Sequence, residues 1–574
     1  MRRNVRHLAV LKVLGSGIMR LGRQQRLIVD AALLGVAGAA AAQVFTYLLR
    51  GASWLFLERL AGYRPPGLPD EGGVLREVVG PHGLWLVPVV VALGGLIVGL
   101  LVQRLAPETE GHGTDTVVHA FHRADGVLRA RVTPIKLLGS AITIGSGGSA
   151  GREGPIALAA AGIGSWYATV TGRTGAERRL LLLVGMAAGI AAIFRSPVGA
   201  ALFAIEVLYA DMEFESGALL LAMLASVVAY ALNGFFVGWR PLLQVPGHLT
   251  LPHPLDNGWY LVLGVGAGVL ATIIPVVFYG TRDAFRWLKL PPEWKPALGG
   301  LLMGALALVC PQLIGGGYGW MQEAIDGRLA VITLLTLVFA KPLAMSLTIS
   351  SGGSGGVFAP TLFVGAMLGG LLASLTHQPA APFVIVGTAA VFAGAAHVPV
   401  ASLMMVTEMT GGYTLLVPAA LAVMVSYLVQ RRLTARFKYQ SLYEAQVPTR
   451  ADSPAHHSEH LRIALRILKE RRVLDPADVG QVDLLSLLRA GIPVELPGDR
   501  RLVIGVLRPD SPHRGKPLGT DHGKFGVDTQ IFTIIRGEHM MAPRPDTMLD
   551  AGDRLILLTT KGGLEGLKQH VDKW

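Results

Sequence analysis

Four stretches without a charged side chain constrain this sequence most: Leu84 to Val102, Gly217 to Trp239, Gly258 to Gly280 and Pro296 to Met321. A helix needs roughly 20 apolar residues to cross a hydrocarbon core about 30 Å thick, and each run is long enough. Within lipid the backbone must satisfy its own hydrogen bonds, which leaves the helix as the natural form of such a run. Hydrophobic types make up 51% of the 574 residues and charged types 16%, against about a quarter in ordinary soluble domains. The expected fold class is an all-α polytopic membrane protein.

The formal charge of +12 resembles a nucleic-acid signal until its position is read. Arg2, Arg3, Arg6, Lys12, Arg20, Arg23 and Arg26 precede the first apolar run, Leu27 to Leu49, and Arg431, Arg432, Arg436 and Lys438 follow the last. The positive-inside rule puts both flanks in the cytoplasm and predicts an even number of crossings of a plasma or inner membrane. No nucleic-acid partner is expected. The basic region is too long for a cleavable signal and is followed by further spans. The single cysteine, Cys310, excludes a disulfide framework or a Cys-based metal site within one chain. His119 with His122, and His456-His457 with His460, have metal-like spacing but read more simply as surface histidines. No cofactor or metal is expected, and no nucleophile–base set marks an enzyme.

Some apolar segments are too short or too glycine-broken to span simply: Leu180–Phe194, Pro197–Tyr209, Leu329–Ala340 and Phe383–Ala396. Broken helices are tolerated at membrane depth where their free backbone groups face protein or a cavity, so a site near the midplane is expected. A repeat indicates where. Ser146-Gly-Gly-Ser-Ala-Gly-Arg-Glu-Gly-Pro155 matches Ser351-Gly-Gly-Ser-Gly-Gly-Val-Phe-Ala-Pro360 at six of ten positions. At nearly the same offset Gly185, Ala187, Ala188, Ala191, Pro197, Val198 and Glu206 recur as Gly387, Ala389, Ala390, Ala393, Pro399, Val400 and Glu408. Duplicated halves, here about 27–240 and 258–438, place a transport site at their interface. Identity alone leaves open whether the halves are parallel or inverted.

Pro155 and Pro360 suit the first turn of a helix. Free N–H groups and the positive end of each helix dipole would then face the glycine-rich stretch and hold an anion without a full positive charge. That suits conduction, because a bound ion must also leave. Glu153 is the departure between the copies. A carboxylate among anion-binding groups competes with a permeant ion and must swing aside or be protonated. Helix capping is the plainer reading of an acid there; the duplicated frame in a membrane favours a gate.

Gly151-Arg-Glu-Gly-Pro155 and Gly356-Val-Phe-Ala-Pro360 resemble the two signature motifs of the CLC chloride channels and transporters. The resemblance extends over about residues 80–445, including Gly111-His112-Gly113, Lys136 and Tyr443. It implies an inverted-repeat homodimer with one pore per subunit. Glu153 is then the external gate, the amides of Arg152, Glu153, Gly154, Val357, Phe358 and Ala359 cradle anions, and the Tyr443 hydroxyl meets the central ion. Two departures matter. His112 stands where many members have serine, and Thr114-Asp115 follows Gly113 where Ile-Pro or Val-Pro is usual. A neutral imidazole donates one hydrogen bond and a protonated one adds charge, so His112 either tunes selectivity or pH dependence, or faces elsewhere. Val207 occupies the place where proton-coupled members carry a relaying glutamate. Glu206 reads as structural, because Glu408 is its repeat mate; Asp211, Glu213 and Glu215 are candidate substitutes for the relay. The expectation is a glutamate-gated, passive, voltage- or pH-sensitive chloride channel. A chloride/proton antiporter and a non-transporting membrane sensor are the alternatives.

The cytoplasmic N-terminus is assigned to 1–26, the pore domain to 27–438 and a polar linker to 439–477. From 478 to 574 a small cytoplasmic α/β domain is expected, with buried strands at Leu502–Leu507 and Arg554–Thr559 and turns at Arg514–Pro517 and Ala551–Asp553. Leu485 to Val571 is similar to the regulatory domain at the end of potassium-uptake and RCK-type proteins, through Leu502–Val506, Pro512, Gly515, Leu518, Arg536-Gly537-Glu538 and Gly552-Asp553-Arg554. This resemblance implies dimerisation and either a small nucleotide-like ligand or a purely structural clamp.

Overall fold

The structure, a computed structural model, describes residues 22–68, 75–245, 257–456, 494–496, 500–519, 529–537, 539–560, 563–567 and 570–573. The chain divides into two compact units, one ending at Gln446 and one beginning at Val447.

The first unit is helical. Its first half runs α1 (Arg23–Ser53), α2 (Val87–Leu105), α3 (Thr114–Arg123), α4 (Val132–Gly145), α5 (Glu153–Val170), α6 (Gly175–Phe194), α7 (Pro197–Glu206) and α8 (Ser216–Val237). The second half repeats the series as α9 (Asn257–Trp287), α10 (Lys295–Val309), α11 (Tyr318–Ile325), α12 (Val331–Ile349), α13 (Phe358–Thr376), α14 (Ala380–Ala396), α15 (Pro399–Thr410) and α16 (Leu416–Thr434). A short antiparallel pair, β1 (Tyr63–Arg64) and β2 (Val78–Val79), follows a π-helical extension of α1. Among the described residues seven helices are long and apolar enough to cross a membrane, and shorter ones lie between them, as the broken segments led one to expect.

Two boundaries differ from expectation. Pro296 to Met321 is not one span: α10 stops at Val309, and a 3-10 turn at Pro311–Leu313 and the glycines 315–317 intervene before α11. Pro311 cannot continue the helix, and Gly317 enters α11 at φ +82°, a conformation open mainly to glycine. Conversely, Leu329–Ala340 is the start of a full-length helix, α12, which runs through Lys341 and Pro342. The charge that seemed to end it is buried and bound.

Equivalent contacts recur in both halves. α5 packs on α6 and α13 on α14 through small residues. A Cβ on Gly164 would meet the Leu181 carbonyl at 2.2 Å, and one on Gly369 the Phe383 carbonyl at 2.0 Å. Close backbone approach of this kind holds helices together where lipid removes the hydrophobic driving force.

Among its described residues the second unit is an antiparallel sheet with a 3-10 turn at Arg450–Asp452 and one short α-helix, α17 (Gly563–Leu567). The strand order is β3 (Val494–Leu496), β4 (Arg500–Leu507), β7 (Arg554–Thr560), β5 (Gln530–Arg536) and β6 (His539–Met541), with β8 (Val571–Lys573) also on β4. The two expected strands pair directly, Leu502 opposite Leu558 and Ile504 opposite Ile556. Leu507, Ile531, Ile534, Leu549, Leu555 and Leu557 form its core. Gly515 and Gly552 supply the turns at φ +69° and +88°. Of the expected linker, Leu442 and Tyr443 are buried in the first unit; residues 457–477, with His457 and His460, lie outside the described residues.

Candidate functional site

The two glycine-rich motifs meet. Gly151 and Gly356, equivalent positions in the repeat, form an antiparallel bridge in which the N–H of each donates to the carbonyl of the other at 2.7 Å. Reciprocal bonds between equivalent residues mark a local two-fold axis between the halves, a relation that an inverted repeat requires. Two residues beyond the bridge the chain enters α5 on one side and α13 on the other. Neither N-cap side chain closes its own helix, which leaves first-turn N–H groups of both helices presented to one spot.

Glu153 fills that spot. It is 2% exposed, its Oε2 accepts the Ala359 N–H at 3.3 Å, and its Oε1 accepts the Tyr318 hydroxyl. An acid of the first half is thus held by a helix start and a phenol of the second. The Arg152 guanidinium lies over the Tyr318 ring, 4.9 Å from its centroid. On the far side of Glu153, Gly154, Thr114, Phe203, Val357, Phe358 and Tyr443 surround a narrow void. A wider, polar cavity opens beyond, lined by His112, Gly113, Asp115, Arg282, Arg286 and Lys295. The segment Gly111–Thr116 is the wall between, with Thr114 facing the void and its neighbours the cavity. The His112 ring lies against Tyr443, 5.4 Å between centroids.

Buried lysines position these loops. Lys136 on α4 donates to the carbonyls of Thr109 and Gly111 at 3.0 and 2.6 Å; Lys341, its equivalent on α12, donates to Leu313 and Gly315 at 2.9 and 2.7 Å. Glutamates do the same at the next helix pair. Glu206, at the end of α7, accepts the N–H groups of Val400 and Ala401 at the start of α15. Glu408, near the end of α15, accepts those of Val198 and Gly199 at the start of α7.

Of the residues singled out in the sequence, Arg152, Glu153, Gly154, Val357, Phe358, Ala359 and Tyr443 converge on the void or the helix starts beside it. His112 reaches it with its backbone, since a Cβ on Gly154 would lie 2.0 Å from the His112 carbonyl, while its side chain belongs to the wider cavity. Val207 lies outside the void, fully buried just past α7, its carbonyl taking a hydrogen bond from the Gln446 side chain. His122 is buried rather than on the surface, with Nε2 3.0 Å from the Leu208 carbonyl. Sequence reasoning missed Tyr318, Phe203 and Lys341, and noted Thr114 only as a departure from the usual pattern after Gly113. A signal for two of them was present: Gly315-Gly-Gly317 before Tyr318 repeats Gly111-His-Gly113, and Lys341 follows Lys136 at the offset that separates Ser146 from Ser351.

Comparison with known proteins places this geometry. Residues 94–431 match the family described as voltage gated chloride channel. The chain is 31% identical over 435 residues to the voltage-gated ClC-type chloride channel ClcB of Salmonella dublin, covering 73% of this chain and 98% of the relative. It is 30% identical over 420 residues to ClcB of Escherichia coli O81, covering 71% and 96%. Among solved structures, a CLC-type fluoride/proton antiporter superposes with TM-score 0.62 at 23% identity, covering 74% of this chain and 98% of that one. A slow cyanobacterial chloride/proton antiporter gives 0.61 at 23%, covering 72% and 95%. With paired helix starts closing on one glutamate across an inverted repeat, and a match over more than half its length, this chain belongs to the CLC family.

Proposed function

We propose that the protein passes chloride and similar small anions across a cell membrane, passively, through the path occupied by Glu153, with both termini cytoplasmic. One observation carries this reading: the Glu153 carboxylate rests on a helix-start N–H of the opposite half, where a permeant anion would bind. An anion passing there must displace it. The lining of the void carries no cationic side chain among the described residues, which leaves dipoles as the attractive element and lets a bound halide depart. Arg152, Gly154, Val357, Phe358, Ala359, Tyr443 and His112 contribute backbone or side-chain donors along the path. The passive mode rests on Val207, which cannot carry a proton. The site is complete within one chain, which fits a homodimer with a pore in each subunit. A small nucleotide-like ligand is proposed for the C-terminal unit.

The test is chloride efflux from liposomes with simultaneous proton recording. Wild type is expected to pass chloride without driving protons uphill, and Glu153→Gln to change the flux several-fold and alter its pH response. Uphill proton movement would make the protein a chloride/proton antiporter, and absence of flux a sensor. Glu153→Gln indistinguishable from wild type would remove the gate. Tyr318→Phe deletes a hydrogen bond that holds the carboxylate in place. Bonds to charged groups contribute about 1.5–3 kcal/mol, so a flux increase of roughly tenfold at neutral pH is expected, and unchanged flux would show that Tyr318 does not hold the gate.

A further inference from the structure

The extension of α1, Trp54–Ala61, is π-helical and ends at Gly62, whose N–H donates to the Leu57 carbonyl five residues back. Single π turns inside helices frequently mark functional places. Beside this one lies an apolar groove of about 660 Å³, running along α1 from Val44 to Leu55 and Phe56 and walled on the other side by Leu138, Ala141 and Ile142 of α4. Its α1 side faces outward, with Tyr47 60% and Leu55 46% exposed. Gly51 keeps it open: a Cβ there would meet nothing within 4 Å. Val44 to Leu55 covers roughly 16 Å at 1.5 Å per residue, about the depth of one leaflet of the hydrocarbon core. Leu27 to Arg50 covers about 34 Å, enough to carry Arg50 across that core to the headgroup layer farther from the N-terminus. Tyr47 and Trp54 are residue types that settle at that boundary. The Arg50 guanidinium lies 6.0 Å from the Tyr47 ring centroid and that of Arg59 5.1 Å from the Trp54 ring. Glu58, the acid on this segment, pairs with Arg64 at 3.4 Å, which leaves Arg50 and Arg59 without an ion pair among the described residues.

From this we infer that the groove binds one anionic phospholipid, an acyl chain lying between α1 and α4 and the phosphate on Arg50 and Arg59, and that the bound lipid braces the motif carrying Glu153. An apolar groove facing a bilayer gains little from the hydrophobic effect, because lipid tails are as apolar as its walls. Selectivity must come from the head group, and two uncompensated guanidinium groups at the headgroup layer choose a phosphate with net negative charge. The groove's walls continue into the first motif. A Cβ on Gly145, the last residue of α4, would meet that of Ala52 at 2.5 Å, and one on Gly147 would meet the Leu57 side chain at 3.2 Å. Ala52 itself lines the groove. A chain filling the space beside Ala52 therefore holds the end of α1 against the end of α4, six residues before Arg152 and the start of α5. The binding site follows from the membrane depth and charge of α1; its effect on flux rests on reading the void beside Glu153 as an anion path.

Two measurements on the full chain test this. Native mass spectrometry of the detergent-purified protein, titrated with phosphatidylglycerol or phosphatidylcholine, reads the site. Wild type is expected to hold one phosphatidylglycerol per chain about tenfold more tightly than phosphatidylcholine. Gly51→Phe fills the groove from an open helical position, where almost any residue suits a helix better than glycine. It should lose that lipid without a fall in melting temperature. Arg50→Gln and Arg59→Gln should each weaken its binding about fivefold. Equal affinity for the two lipids, or a Gly51→Phe protein that keeps its phosphatidylglycerol, overturns the site. A change of oligomeric state in Gly51→Phe would assign the groove to a second copy of the chain and overturn it as well. In liposomes, wild-type chloride efflux is expected to rise about threefold as phosphatidylglycerol replaces a third of the phosphatidylcholine, and Gly51→Phe to stay level. Efflux that follows the lipid equally in both proteins would show that the groove does not brace the motif. Lipid binding as expected with no flux in any protein would instead sink the reading of the void as a pore.

Discussion

Lys136→Met is expected to abolish anion flux, at least twentyfold below wild type, although Lys136 lines neither the void nor the wider cavity. Its ammonium is fully buried and holds the Thr109 and Gly111 carbonyls. Gly111 is in turn laced to the second motif: its N–H donates to the Gly353 carbonyl at 3.0 Å, and its carbonyl accepts the Gly355 N–H at 3.2 Å. One side chain therefore fixes the wall segment and, through it, the loop that starts α13. Methionine has similar length but donates nothing, and each carbonyl left without its donor costs about 1–3 kcal/mol. Removing a buried charge returns part of that through avoided desolvation, so the loss of stability should be smaller than the loss of flux. Lys341→Met provides the contrast. Its loop leads to Tyr318, which holds Glu153, rather than to the wall, so comparable destabilisation with flux retained or raised is expected. Flux in liposomes, beside melting curves of both purified variants, decides. Lys136→Met with wild-type flux would mean that the wall holds itself.

The parts legible in the sequence were those in which the halves agree. Charge-free runs gave the long helices, and the Ser146 and Ser351 motifs gave the pair of helix starts, because glycine and proline at fixed spacing leave few alternatives for the backbone. What stayed hidden lies where the halves differ. Thr114 and Tyr318 follow equivalent glycines, yet one lines the void and the other holds Glu153; a search for identity passes over both. Leu329–Ala340 looked too short because Lys341 follows it, and a charge inside an apolar run usually marks its end. Only the fold shows that its ammonium bonds carbonyls 28 and 26 residues earlier in the chain. The break inside Pro296 to Met321 was invisible to hydropathy, since Pro311 and the glycines that cause it carry no charge. Val207 could be located by its neighbours in sequence, but its separation from the void required coordinates.

Glu206→Gln is expected to cost roughly 2–4 kcal/mol of stability, more than Glu408→Gln, with the double variant losing less than the sum. α7 and α15 each begin with proline, which has no N–H, so the next donors need acceptors. Each receives them from a carboxylate of the other helix. Glu206 is fully buried and uses both oxygens, Oε1 for Val400 N–H at 3.1 Å and Oε2 for Ala401 N–H at 2.6 Å. Glutamine keeps one acceptor and turns the other position into a donor aimed at a donor. One buried N–H goes unsatisfied, at about 1–3 kcal/mol, and a charge-assisted bond to the helix start is weakened. Glu408 is only half-buried, and besides Val198 and Gly199 it accepts the Ser196 hydroxyl, which can rotate to compensate. Its replacement should therefore cost less. The two carboxylates bridge the same pair of helices, so once one bridge is broken the other has less packing to protect, and the penalties couple rather than add. Unfolding in graded denaturing detergent measures all three variants. Equal and additive losses would show that the two bridges act independently. Flux should fall with stability in these variants, because α7 carries Phe203 into the wall of the void and cannot shift without reshaping it.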